Sequence, residues 1–189
     1  MILLIAGIAL FFAAHGLKIH MPSPRAKLVS KFGQGPVRLI MTVLMIGAVA
    51  MIVVGYQQAP FINVWYPPAW AYHLNNLLML IAIVVFISAG PKSWIADKIR
   101  HPQLIGTKIW SVAHLLVNGD LASIVLFGGL LAWAVSAMIG VNKRDGKSAR
   151  TPTGTLLGTA INLVAGVVLM GAVGWVHNYF GVWPFGGRS

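Results

Sequence analysis

Apolar residues run through this chain in blocks too long and too uniform for a half-buried strand or for the single stripe of a soluble helix. Six such blocks occur, at residues 1–17, 37–56, 70–89, 103–117, 121–141 and 155–180. Most approach or exceed the ~20 residues that cross ~30 Å of hydrocarbon. The pattern predicts an all-α, polytopic membrane bundle of six transmembrane helices, forming a single domain over residues 1–189.

The polar connections orient the bundle. Loop one holds Lys18, Arg25, Lys27, Lys31 and Arg38; loop three holds Lys92, Lys98, Arg100 and Lys108; loop five holds Lys143, Arg144, Lys147 and Arg150. The intervening connections, around Gln57–Ala69 and Asn118–Asp120, carry no lysine or arginine. Cytoplasmic loops collect basic residues, so both termini are expected outside. Trp65, Tyr66, Trp70 and Tyr72, with Trp175, Tyr179 and Trp183, stand where an outer aromatic belt belongs. The first apolar run lacks a basic segment before it, which predicts a retained helix and not a cleaved signal peptide.

Composition agrees. The chain is 58% hydrophobic and 9% charged, against roughly 25% charged in soluble domains. Its net charge of +11 follows the loops, so topology and anionic headgroups explain it and nucleic acid is excluded as a partner. There is no cysteine and no glutamate; the three acids are Asp97, Asp120 and Asp145. Thiolate ligands and paired carboxylates are therefore absent.

The candidate chemistry lies with histidines. Thr107, Ser111, His114 and Asn118 recur at helical spacing, giving the fourth helix one polar face. Polar groups in hydrocarbon mark functional sites by default, so that face is expected inside the bundle with His114 as a ligand. His15 ends the first helix after Phe11 and Phe12; it is read either as an interfacial histidine or as a metal or haem ligand. His73 and Asn76 form an interfacial pair in this reading, and His20 and His177 are solvated. His101 precedes Pro102, a residue suited to the first helical position. Asn118-Gly119-Asp120 reads as a turn, with Asp120 capping the fifth helix.

Two histidines on different helices of an apolar bundle suit the axial positions of a six-coordinate haem b. Lys18, Arg25, Arg100 and Lys108 offer cations for its propionates. Gly154, Gly158, Asn162 and Gly166 recur every four residues and make a small-residue face. That face packs either within the chain or across a homodimer.

Several motifs resemble a known family. Arg100-His101-Pro102-Gln103-Leu104-Ile105-Gly106, then Trp110-x-x-Ala113-His114-Leu115-Leu116-x-Asn118-Gly119-Asp120-Leu121-Ala122-Ser123 and Phe127-Gly128-Gly129, resemble the NnrU family of bacterial membrane proteins. Phe11-Phe12-Ala13-Ala14-His15-Gly16-Leu17-Lys18-Ile19 and Pro67-Pro68-Ala69-Trp70-Ala71-x-His73-Leu74 are similar to the same family. The resemblance implies a multi-pass protein of the bacterial inner membrane, linked to denitrification and nitric oxide metabolism. The 15-cis-ζ-carotene isomerases are similar to this family and use a membrane-embedded haem b. Their ligand histidines match His15 and His114, and a cysteine proposed as an alternate ligand falls at Ser111.

The expectation is thus a membrane haem b protein with His15 and His114 as axial iron ligands and His73 as substitute. Phe11, Ser111, Arg100 and Lys108 complete the cofactor site. Membrane lipids, nitric oxide or a lipid-soluble substrate are the expected partners. The alternatives are a haem-dependent cis-trans isomerase and, from the likeness of Arg100-His101-Pro102 to membrane methyltransferases, an S-adenosylmethionine-dependent enzyme.

Overall fold

A computed structural model describes residues 1–146 and 152–185; Lys147 and Arg150 of loop five lie outside them. The described residues form eight helices: α1 (Ile2–Ile19), α2 (Pro22–Phe32), α3 (Gln34–Gln57), α4 (Ala69–Ile87), α5 (Trp94–Lys98), α6 (Pro102–Val117), α7 (Leu121–Asp145) and α8 (Leu156–Tyr179). Among these residues there is no strand, only an isolated bridge between Asn63 and Asp120. Helices α1, α3, α4, α7 and α8 are long and apolar enough to cross a membrane. Helix α6 has 16 residues, about 24 Å at 1.5 Å per residue.

Each of the six expected blocks is a helix, five of them candidate spans, and two further helices, α2 and α5, lie in the connections. Helix α2 fills the first basic connection. Its sequence has no apolar run, and its prolines stand in its first turn, where a missing N–H costs nothing. Gly33, with φ of 83°, ends it and turns the chain into α3. Helix α5 is a five-residue turn capped by the Ser93 side chain, which accepts from the Ala96 N–H. Both were hidden because hydrophobic periodicity reports only elements with a buried stripe.

The chain's contacts cluster in two compact units. The first comprises Met1–Val64 and Asp120–Gly146, and so α1, α2, α3 and α7. The second comprises Trp65–Gly119 and the described residues after Gly146, and so α4, α5, α6 and α8.

In the first unit α1 and α3 lie against each other. Gly7 makes this possible: a Cβ there would stand 2.8 Å from the Ile52 nitrogen and 2.9 Å from the Met51 Cβ. Small residues let helices approach closely where lipid provides no hydrophobic drive. Leu4, Ile8, Ile52 and Ala122 form the buried core, flanked by Phe11 and Phe12. Helix α7 starts on a built cap. Asp120 accepts the Ser123 N–H at 2.9 Å and the Ser123 hydroxyl at 2.5 Å, and the Tyr56 hydroxyl lies 2.8 Å from Ser123 Oγ. The capping role expected of Asp120 is observed.

In the second unit α4 packs against both α6 and α8. Gly106 meets Ala82 and Phe86 where α6 crosses α4; a Cβ at Gly106 would stand 2.7 Å from the Phe86 Cβ. On α8, buried Asn162 donates to the Val84 carbonyl at 3.1 Å. Gly158 and Gly166 face the Lys92 carbonyl and Val84. The small-residue face therefore packs on α4 and its following loop, within the unit. Gly154 is corrected: it precedes α8, and its N–H donates to Asp97 at 2.9 Å. The opposite face of α8 exposes Leu157 (70%), Val164 (65%) and Val168 (64%). A helix that buries asparagine and glycine while exposing leucine and valine is built for hydrocarbon.

Candidate functional site

The first candidate centre is His15 on α1. Its Nδ1 lies 3.2 Å from the Phe11 carbonyl one turn back. A carbonyl only accepts, so the proton is on Nδ1 and Nε2 is the basic nitrogen. The ring packs 4.3 Å from Phe11 and 4.7 Å from Trp133 of α7, centroid to centroid. Phe11 and Trp133 also meet edge to face at 5.0 Å. His15 thus sits in an aromatic corner. Phe11 was expected there; Trp133 was not, because it arrives from a helix 118 positions along the chain with no local signal.

The second centre is His114 on α6. Its Nδ1 lies 2.9 Å from the Trp110 carbonyl, and its ring lies 4.8 Å from the Trp110 ring. The posture repeats that of His15: carbonyl and aromatic ring both come from the residue one turn earlier. Ser111, three residues before His114, is fully buried, and its hydroxyl has no hydrogen-bond partner. Such an orphan costs about 1–3 kcal/mol and calls for a reason. Asn118 donates to the His114 carbonyl at 2.8 Å, which closes the helix.

The remaining predicted residues divide. Thr107 is turned inward on its own helix, donating to the Gln103 carbonyl at 2.8 Å. Lys108 is six residues from His114, about 9 Å along the axis. Arg100 lies before the first residue of α6 and so at least about 18 Å from His114 along that axis. His73 is exposed, off the buried stripe of Ala71, Asn75, Met79 and Ala82 on α4. His15 belongs to the first unit, and His114, Ser111, Lys108, Arg100 and His73 to the second.

Two histidines read as solvated are engaged. His20 bonds through Nε2 to Ser136 Oγ at 3.1 Å and packs against Gly140 on α7. His177, near the end of α8, places Nδ1 2.8 Å from the Val173 carbonyl. A polar residue not anticipated is Asn75 on α4. It is buried, donates to Asn76 at 3.3 Å, and leaves its own carbonyl oxygen without a partner.

Two of the three acids hold the fold, and the third pairs with its exposed chain neighbour. Asp97 accepts the Thr153 and Gly154 N–H groups at 3.0 and 2.9 Å, fixing α5 to the start of α8. Asp120 caps α7, and Asp145 pairs with Arg144 at 2.6 Å. Among the described residues no three histidine or acidic side chains group to hold a metal ion. What the geometry offers is imidazole chemistry.

The second unit also contains an apolar cleft of about 430 Å³ between α4, α6 and α8. Phe86, Gly106, Thr107, Trp110, Leu169 and Val173 are among its walls.

The fold is that of an all-helical integral membrane protein whose buried polar residues are asparagines and serines, with His15 and His114 half-buried beside aromatic rings. The family model described as NnrU protein matches residues 3–184, nearly the whole chain. The chain belongs to the NnrU family. It is also 27% identical over 147 residues to the phosphatidylglycerol–prolipoprotein diacylglyceryl transferase of Rhodococcus jostii (strain RHA1). That alignment covers 68% of this chain and 40% of that protein. No solved structure matches the chain.

Proposed function

We propose that this NnrU-family protein is a b-type haem protein with His15 and His114 as axial ligands. In this reading it serves redox or gas chemistry linked to nitric oxide or nitrite metabolism. One observation carries it: both imidazoles are pinned through Nδ1 to a carbonyl one turn back, which presents Nε2 as the basic nitrogen. Metal-bound histidines are commonly oriented by this kind of bond on the other ring nitrogen. His177 shares the bond to a carbonyl, but only His15 and His114 add the flanking ring at the same position. The orphaned Ser111 hydroxyl supports a group near His114 that would give it a partner. Haem, when bound, would supply a redox-active iron; Phe11 and Trp133 would wall it at His15, and Lys108 is the cation we assign to a propionate.

The same proposal sets the protein in the bacterial inner membrane with both termini outside and α6 as a short sixth crossing. The basic residues of α2, α5 and the connection into α6 then lie at the cytoplasmic headgroups. The apolar cleft favours a second reading, a haem-dependent cis-trans isomerase of a polyene. A methyltransferase that grips its cofactor through a carboxylate has little support, because each of the three acids is already engaged.

The test is the absorption spectrum of detergent-solubilised protein. A Soret band with sharp low-spin bands on reduction is expected, and His15→Ala and His114→Ala should each abolish the bis-histidine signature. A wild type without a Soret band, or both variants with the wild-type spectrum, refutes the haem reading. Nitric oxide binding to the reduced protein without polyene turnover favours the first reading over the isomerase.

A further inference from the structure

The cleft of the second unit is apolar along its body and changes character at one end. Helix α8 is tied to α4 through Asn162 and Gly166 at Val84, whereas α6 touches α4 at Ala82 and Phe86. Between these two attachments Trp110, Leu169 and Val173 line a hollow of about 430 Å³. That volume falls in the range of small-molecule sites, ~300–1,000 Å³. The Thr107 hydroxyl is engaged by its own helix, so the body presents hydrocarbon and the aromatic rings of Phe86 and Trp110.

The polar groups lie one turn beyond. His177 folds back onto the carbonyl of Val173, a wall residue, and His114 folds back onto that of Trp110, another wall residue. The bond to Val173 makes Nε2 of His177 a hydrogen-bond acceptor. The His177 imidazole thus stands one helical turn beyond the wall residue Val173. Trp110, another wall residue, lies 4.8 Å from the His114 ring at a tilt of 52°.

We propose that this cleft binds a membrane-soluble quinol, its apolar tail along Leu169 and Ile83, its ring by Phe86 and Trp110, and a ring hydroxyl donating to Nε2 of His177. Flat aromatic walls suit a flat ring, and a single polar end suits a molecule with one polar head. The inference rests on the haem reading only for its purpose: the ligand would lie one tryptophan away from the haem ligand His114. Its binding residues stand without haem.

The test uses full-length protein in detergent and decylubiquinol kept reduced, with binding followed by quenching of tryptophan fluorescence; tighter binding of the oxidised decylubiquinone than of the quinol overturns the assignment of His177 as acceptor. Leu169→Trp fills the cleft and should weaken binding about tenfold. His177→Phe removes the acceptor and should weaken it about fivefold, the worth of one hydrogen bond. Val168→Trp makes a similar insertion on the exposed face of α8 and should bind like wild type. Absence of binding to the wild type, or equal binding by all three variants, overturns the proposal. So does equal affinity for β-carotene, which has no polar head. A Soret band without quinol binding sinks this site and leaves the haem reading. Quinol binding lost in Leu169→Trp, in a protein without a Soret band, does the reverse.

Discussion

Ser111→Ala separates a structural serine from a cofactor-facing one. The Ser111 hydroxyl is fully buried and makes no hydrogen bond, in a helix where its usual outlet is a carbonyl one turn back. Removing an orphaned buried hydroxyl recovers about 1–3 kcal/mol of desolvation cost. Alanine adds roughly 0.5 kcal/mol of helix propensity over serine. The cavity left by one oxygen is small, so haem-free Ser111→Ala should be more stable than haem-free wild type. At about 2–4 °C per kcal/mol for a chain of this size, its unfolding midpoint should rise by several degrees. If the hydroxyl serves a bound haem, the sign reverses in the loaded protein, where the variant loses a contact. The assay is thermal unfolding of purified protein, with and without added haemin, at one fixed scan rate because membrane proteins often unfold irreversibly. A haem-free variant less stable than wild type would refute the reasoning, since the hydroxyl would then have a partner.

Other substitutions probe the frame around the site. Asp120→Ala removes the cap of α7 and the bond to Ser123; a loss of about 1–2 kcal/mol is expected in denaturant titration, and Ser123→Ala in the same background should cost little more. Gly106→Val places side-chain atoms against Phe86 and the Ala82 carbonyl, so α6 must shift; a loss of about 1–3 kcal/mol is expected, with Gly128→Val, which meets open space, as the mild control.

Much of the fold was legible because lipid imposes long apolar runs and basic loops. The six apolar blocks correspond to α1, α3, α4, α6, α7 and α8, with ends differing by a few residues. Helices α2 and α5 were not legible, since neither buries a stripe that periodicity could report. At the site, Phe11–His15 and Trp110–His114 were within reach because each pair is one helical turn apart. Trp133, Asn75 and the role of His177 were not: each depends on which helices pack together, which spacing within one helix does not encode. Gly154 was misplaced for a related reason. Its four-residue spacing continues the stripe of α8, but Thr155 caps that helix and so sets its start one residue later.

The first unit is interrupted in sequence: the 55 residues Trp65–Gly119 of the second unit come between its two segments, and so between α3 and α7. Chains are made from the N-terminus, so α1 and α3 exist well before α7 does. During that interval Leu4, Ile8 and Ile52 can already meet, but Ala122 is absent from their core and Trp133 from the ring of His15. The aromatic corner at His15 is therefore a late product of biosynthesis. By then His114 and the whole of α6 have been made, so His15 is fully enclosed only after its proposed partner ligand has been synthesised.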